Sequence, residues 1–266
     1  MNILITGGNG FIAQHLVSFL DKEHTVFAPT RSQLDCLDSI AVTKFFNDHT
    51  IDIVIHTALT GREQLFSTDI HYFNDAISMW TNLYLNRNKF KNLIQFGSAY
   101  ELDLTHHNNN TSLSDVISQY PISSYGKAKN MMAKSCVETD NFYTLRLFGN
   151  LHHTEKDFRF FKNLKSSAQF IINEDRKFDY FNLEDIFTVV KFVIDETPLI
   201  RDINLVYSDK LTLSEQVELF CSVNNIHPEV SIKSIGFNLT GSPSNLLSFN
   251  LPLEGLVKGF EKYSIR

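Results

Sequence analysis

The stretch Asn2-Ile-Leu-Ile-Thr-Gly-Gly-Asn-Gly-Phe-Ile-Ala13 constrains this chain more than any other. Ile3, Leu4 and Ile5 form a short apolar run that stops at Thr6-Gly7, the pattern of a buried parallel strand. Gly7, Gly8 and Gly10 permit a turn that a Cβ would obstruct. Phe11, Ile12, Leu16, Val17, Phe19 and Leu20 then recur at helical spacing, so a helix begins near Gly10. Strand, glycine turn and helix N-terminus aim free N–H groups and the positive end of the helix dipole at one spot, which suits a pyrophosphate. The spacing is Gly7-x-x-Gly10-x-x-Ala13, and the alanine in third place is small enough for close helix–strand packing. Alone, such a match also describes an ordinary tight turn, so the rest of the chain decides.

At 266 residues there is room for one large domain, or for a nucleotide domain with a smaller lobe. The net charge of −6 argues against general nucleic-acid binding. No apolar run reaches the length of a membrane span, and the N-terminal apolar segment lacks the basic flank of a signal peptide. Cys36, Cys136 and Cys221 are scattered and odd in number, the usage of reduced thiols in a cytoplasmic protein. The pairs His106-His107 and His152-His153 have no companions at metal-ligand spacing, so no metal is expected.

Thr25–Ala28 reads as the second strand, ending at Pro29-Thr30-Arg31. Dinucleotide folds place an acid near this point to hold the ribose 2′-OH. Here Thr30, Arg31 and Ser32 stand instead, and a guanidinium beside hydroxyls suits a 2′-phosphate. The expected cofactor is therefore NADP(H) rather than NAD(H). Asp38 is placed either to meet the adenine or to cap the helix that follows. Ile51–Ile55 is a third strand leading to His56-Thr57-Ala58. A helix follows at about 72–86, then a fourth strand over Leu93–Phe96 ending at Gly97-Ser98, and a fifth over Phe142–Phe148. Strands alternating with helices predict an α/β fold, a Rossmann-type doubly wound parallel sheet with ligands at the strands' carboxyl ends. Gly7, Arg31, His56 and Ser98 all fall at such ends.

Residues 101–118 are polar and read as a surface loop. A helix to about residue 138 then presents Tyr125 and Lys129 on one face, four residues apart. Further on, helices are expected at 158–165, 185–196 and 214–224, with strands at 169–172 and 203–207. The expected domains are a nucleotide domain over 1–150, with segments returning at about 177–207, and a small C-terminal substrate-binding lobe from 151–176 and 208–266.

Taken together, Thr6-Gly-Gly-Asn-Gly-Phe-Ile-Ala13, His56-Thr-Ala58, Gly97-Ser98 and Tyr125-Gly-Lys-Ala-Lys129 resemble, in order and separation, the extended short-chain dehydrogenase/reductases. The nucleotide-sugar epimerase, dehydratase and reductase branch is the most similar, and within it the 4-ketoreductases of the GDP-fucose synthase type. The likeness extends to Arg176–Asp185 and Ile203–Ser208. It implies a catalytic Ser98, Tyr125 and Lys129, with Tyr125 as general acid and Lys129 lowering its pKa and holding the ribose. It implies cofactor contacts from Gly7, Asn9, Gly10, Phe11, Ile12, Arg31, Ser32, Asp38, Thr57, Ala58, Tyr125 and Lys129. Substrate contacts fall to Ser98, Tyr100, Arg146, Asn150 and Arg176, with a looser orienting role for Asn74. Enzymes of the GDP-fucose synthase type carry a cysteine acid/base two residues after the serine, where this chain has Tyr100, and a partner histidine from which His152 is one residue out of step. The resemblance thus implies reduction of a nucleotide-activated 4-keto-6-deoxy sugar without epimerisation, by a homodimer. The alternatives are an NAD-retaining 4-epimerase and a non-catalytic NADP-binding regulator.

Overall fold

The computed structural model describes residues 1–59 and 69–264. In chain order the elements are β1 (Asn2–Thr6), α1 (Phe11–Leu20), β2 (Thr25–Phe27), α2 (Ser39–Asp48), β3 (Ile53–His56), α3 (Ile70–Leu85) and β4 (Asn92–Ser98). Then come β5 (Asn108–Thr111), α4 (Leu113–Ser118), α5 (Ser124–Val137), β6 (Phe142–Leu147), β7 (Gly149–Leu151), α6 (Phe160–Ser166), β8 (Gln169–Ile172) and β9 (Tyr180–Asn182). The last are α7 (Leu183–Glu196), β10 (Asp202–Leu205), α8 (Leu213–Asn224), β11 (Glu229–Ile232), β12 (Leu239–Gly241), α9 (Ser244–Leu247) and α10 (Leu256–Glu261). None of the described helices is long and apolar enough to cross a membrane.

Two compact units share these elements. The first comprises Met1–Leu102, Leu113–Arg146 and Pro198–Ile203. Its frame is a six-stranded parallel sheet in the order β10-β6-β4-β3-β1-β2. The register runs Ile3↔Val26 on one side of β1, Ile3↔Ile53 on the other, and Ile53↔Asn92 beyond. Chain order reverses between β1 and β3, and such a switch point opens a ligand crevice at the carboxyl ends of the strands. Ile3, Leu4, Ile5, Val54 and Ile55 are fully buried, because helices cover both faces of a parallel sheet. Trp80, Phe90 and Phe142 close the core beneath α3 and α5. Side-chain caps fix where helices start: Asp38 for α2, Asp69 for α3 and Ser123 for α5.

The second unit comprises Asp103–Ser112, Leu147–Thr197 and Asn204–Arg266. It is built on three small parallel pairs, β7 with β9, β8 with β11 and β5 with β12. Its core is aromatic: Phe161, Phe170, Phe220, Phe260 and Tyr263 pack with Leu151, Leu164 and Val217. A reciprocal capping box of Thr212 and Glu215 starts α8.

Three features depart from the sequence expectation. The 101–118 segment is not a plain loop, for it holds β5 and α4. The strand went unseen because hydrogen bonds rather than apolar periodicity hold it: Thr111 Oγ1 donates to the Thr240 carbonyl and the Asn110 N–H to Thr240 Oγ1. The return to the first unit is only Pro198–Ile203, shorter than 177–207, because β9 pairs with β7 inside the second unit. Strands β7, β9, β11 and β12 were not foreseen; β11 is exposed along its length and carries no buried period to read.

Phe161 is fully buried with ring centroids of Tyr180, Phe260 and Phe220 at 4.9, 4.8 and 5.1 Å. Phe161→Ala is expected to cost about 3–5 kcal/mol in urea unfolding. Leu199→Ala, at a 98% exposed position, should stay within about 0.5 kcal/mol of the parent.

Candidate active site

The glycine turn behaves as its sequence demands. Gly7 sits at φ +70, and a Cβ there would lie 2.8 Å from Ala58 Cα. A Cβ on Gly8 would overlap the Ala28 carbonyl. Gly10, the N-cap of α1, contributes no capping side chain, and its N–H bonds the Gly7 carbonyl at 2.7 Å. Thr6 ties the neighbouring strand end: its Oγ1 meets His56 Nδ1 at 2.8 Å and accepts from the N–H groups of Thr57 and Ala58. The result is a cleft of about 320 Å³ in the first unit. Gly7, Asn9, Gly10, Arg31, Thr57 and Ala58 line it, all named from the sequence. Backbone N–H groups, no room for Cβ atoms and an arginine at the rim fit a dinucleotide with an extra phosphate.

Other expected cofactor residues sit elsewhere. Phe11 and Ile12 occupy the first turn of α1, half-buried, and Ser32 shares a hydrogen bond with Thr30 at 2.9 Å; none of the three lines the cleft. Asp38 takes up the helix cap, one of its two expected roles, since its Oδ1 accepts from Ile40 and Ala41 at 2.9 and 3.0 Å. The carboxylate that does line the cleft is Asp35, which pairs with Arg31 at 3.3 Å. That pair is exposed, so the guanidinium remains open to a stronger anion.

Ser98 ends β4 and its hydroxyl accepts from the Tyr100 N–H at 3.2 Å. Tyr125, from the first turn of α5, shares a side-chain hydrogen bond with Ser98. The rings of Tyr72 and Tyr100 stand edge-on to Tyr125 at centroid distances of 6.0 and 5.8 Å. Lys129 is buried one turn on, and its Nζ donates to the Phe96 carbonyl at 2.7 Å. The three expected catalytic residues thus gather around the end of β4.

Their electrostatics correct one expectation. Burial pushes the Tyr125 phenol well above its ordinary value, against the pull of the Ser98 hydrogen bond, so lysine does not depress it. Lys129 spends its ammonium on a strand-end carbonyl, and burial lowers it to about 8. The Tyr125 phenol is therefore neutral at physiological pH. His56, fully buried, is lowered to about 3 by desolvation first and by Lys129 second, and so stays neutral.

Arg146 is corrected from substrate contact to structural ion pair. It is fully buried, its Nε meeting Glu101 Oε2 at 2.6 Å and its two terminal nitrogens Asp202 at 2.7 Å each. Asn74 lies on α3. Asn150, Arg176 and His152 belong to the second unit. Asn150 accepts from Arg159 at 2.8 Å, and His152 Nδ1 meets Thr154 Oγ1 at 2.7 Å. Arg176 lies 3.6 Å from Glu174 with its Nε buried and unpartnered. That unit has its own cleft of about 450 Å³, walled by Tyr180, Tyr207, Leu211, Leu246 and Leu256, and neither Asn150 nor Arg176 lines it. Glu101 and Tyr72 are the residues the sequence reading missed; neither stands in a recognisable spacing. Among the described residues no group of three or more His, Cys, Asp or Glu side chains could hold a metal ion.

A switch-point cleft of backbone amides beside a buried Ser–Tyr–Lys group defines a dinucleotide-binding α/β protein. The chain belongs to the NAD dependent epimerase/dehydratase family, whose model matches residues 3–196. No curated protein matches it in sequence. Among solved structures it is similar to the GDP-mannoheptose C4 reductase of Campylobacter jejuni with NADP bound, at 18% identity and TM-score 0.84, over 99% of this chain and 96% of that one. A GDP-L-fucose synthetase of Naegleria fowleri bound to NADP gives 14% identity and TM-score 0.77, over 99% and 91%. The UDP-glucose 4-epimerase of Thermus thermophilus complexed with NAD gives 16% and 0.79, over 99% and 98%. At these identities the likeness is one of fold.

The Lys129 value sets a pH dependence. Between about 8 and its ordinary 10.5, the unfolded chain holds a proton that the folded one has shed. The penalty of burying this lysine is therefore complete below pH 8, and stability climbs as pH rises through that window. Lys129→Met is expected to flatten the climb in urea unfolding measured across it.

Proposed function

We propose that this chain is an NADPH-dependent reductase of a nucleotide-activated 4-keto-6-deoxy sugar. The observation that carries the reading is the buried hydrogen bond between Ser98 and Tyr125, with Lys129 one helical turn away. Solved neighbours that are NADP-bound reductases and synthases of GDP-sugars support it. In this reading Gly7, Asn9, Gly10, Thr57 and Ala58 hold the dinucleotide, Arg31 pairs with its 2′-phosphate, and Lys129 holds its ribose. The bound nicotinamide supplies a hydride to the sugar carbonyl carbon.

The protein's part is the proton. As charge builds on the carbonyl oxygen, Tyr125 gives up its phenolic proton to that oxygen, and Ser98 donates a hydrogen bond to the same atom. The upward shift of the phenol keeps that proton in place until the oxygen becomes basic. The half-buried Tyr100 stands where epimerising relatives carry a thiol, and a phenol with an ordinary pKa near ~10 is a poor base for a sugar carbon. Hence reduction proceeds without epimerisation. The reading includes a cytoplasmic homodimer packed through α3 and α5, which carry the exposed Leu85 and Met131; light scattering showing a monomer removes the dimer.

One observation favours a second reading. Asp35 lines the cleft, and an acid there suits the 2′-OH of NAD, as an NAD-retaining 4-epimerase would need. One experiment separates the two: UDP-, GDP-, CDP- and dTDP-4-keto-6-deoxy sugars are offered with NADPH or NADH in deuterated water. The reductase consumes NADPH in preference to NADH, a preference Arg31→Ala abolishes. Its product carries no solvent deuterium at the carbons flanking the reduced centre. Tyr125→Phe should lower kcat by ~10²–10⁴-fold while dinucleotide binding persists. NAD retained through purification, or a Tyr125→Phe enzyme with undiminished turnover, overturns this reading.

A further inference from the structure

Glu101 follows Ser98 by three residues and is fully buried in the first unit. Its Oε1 accepts the Ser98 N–H at 2.8 Å, and its Oε2 accepts Arg146 Nε–H at 2.6 Å. Both oxygens accept, the arrangement of a carboxylate. Its backbone carbonyl accepts from Asn130 Nδ2, on α5, at 2.8 Å. Arg146 reaches on from β6 to Asp202 on β10 with two bonds of 2.7 Å. One residue thus joins the end of β4 to β6 through its carboxylate, to α5 through its backbone carbonyl, and to β10 through Arg146.

The lock is tight on the other side as well. A Cβ on Gly97 would sit 2.6 Å from Glu101 Oε1, so only glycine before Ser98 leaves space for this carboxylate. Ser98 and Glu101 form a reciprocal capping box around a single turn of 3₁₀ helix, Ala99–Glu101. The serine hydroxyl that receives this cap is the one that meets Tyr125. Burial raises the Glu101 carboxyl above its ordinary range, and Arg146 is the first group opposing it. Burial also works against the Arg146 charge, but the two carboxylates outweigh it and hold the guanidinium protonated. A buried ion pair of this kind gives little net stability, yet its geometry is directional.

We propose that Glu101 is a positioning residue: tied to Arg146, it fixes the Ser98 backbone so that the serine hydroxyl stays on the Tyr125 phenol. The proposal rests on the reading of Ser98 and Tyr125 as the catalytic pair, but its test does not require turnover.

The primary readout is the Cζ resonance of Tyr125 in protein carrying ¹³Cζ-tyrosine, assigned as the peak missing from Tyr125→Phe. Ser98→Ala marks its position without the serine hydrogen bond. Glu101→Gln keeps one acceptor but turns an amide donor towards either Arg146 or Ser98. The expected result is a Tyr125 resonance that moves to the Ser98→Ala position in Glu101→Gln and stays at the parental position in Asp202→Asn, which leaves the Glu101 bonds intact. Should Glu101→Gln not fold, Arg146→Lys asks the same question, since one ammonium cannot reproduce the fork that holds both carboxylates. An unmoved resonance in whichever of the two folds, or an equal move in Asp202→Asn, overturns the proposal. In turnover, Glu101→Gln should lower kcat by ~10–100-fold with the KM for NADPH within about twofold, the mark of lost orientation rather than lost binding. A parent inactive on every nucleotide sugar sinks the reductase reading, whereas the tyrosine resonance still decides the role of Glu101.

Discussion

Everything in the first unit depends on how closely three strand ends approach one another. At Gly7 and Gly8 the backbone leaving β1 lies so near Ala58 and Ala28 that no Cβ fits on either glycine. This closeness brings the turn, the end of β3 and the end of β2 around one cleft. Thr6 completes the arrangement, because a single hydroxyl bonds His56 and the two amides beyond it. An apolar residue there would leave the buried His56 Nδ1 and those amides without their acceptor or donor.

The tyrosine–lysine pair gains its meaning from what surrounds it. On an open helix face, four-residue spacing would give a weak surface contact. Here both side chains are buried, and burial drives them in opposite directions, the phenol up and the ammonium down. Each is thereby moved towards its uncharged form. An uncharged phenol is what proton donation to a forming alkoxide requires.

Legibility in the sequence followed the physics of each part. Strands β1, β3, β4 and β6 and the helices between them announce themselves because a parallel sheet covered on both faces must be apolar throughout. The glycine turn was readable because only glycine tolerates its geometry. Arg146 misled for an instructive reason: an arginine one residue from the end of a central strand looks like a ligand contact until its partners are known. Those partners, Glu101 and Asp202, come from the 3₁₀ turn after β4 and from the start of β10, and nothing in local spacing connects them. Asp38 and Asp35 show the same limit in miniature, since three residues separate a helix cap from a cleft wall. The second unit was the hardest to read, since β5 is polar, β11 is exposed, and both pair with distant partners.

That distance has a consequence for how the chain assembles. Strand β5 pairs with β12, and the Asn110–Thr240 hydrogen bond spans 130 positions. Closing so long a loop is entropically uphill before any contact repays it, so contacts of this kind come late in folding and slow it. On a ribosome, residues 108–111 emerge early and must wait for 239–241 to be made. The first unit lacks only Pro198–Ile203 once residue 146 is out. The nucleotide-binding half is therefore assembled ahead of the lobe, and a nascent chain halted between residues 203 and 239 would carry a finished cradle beside an unfinished lobe.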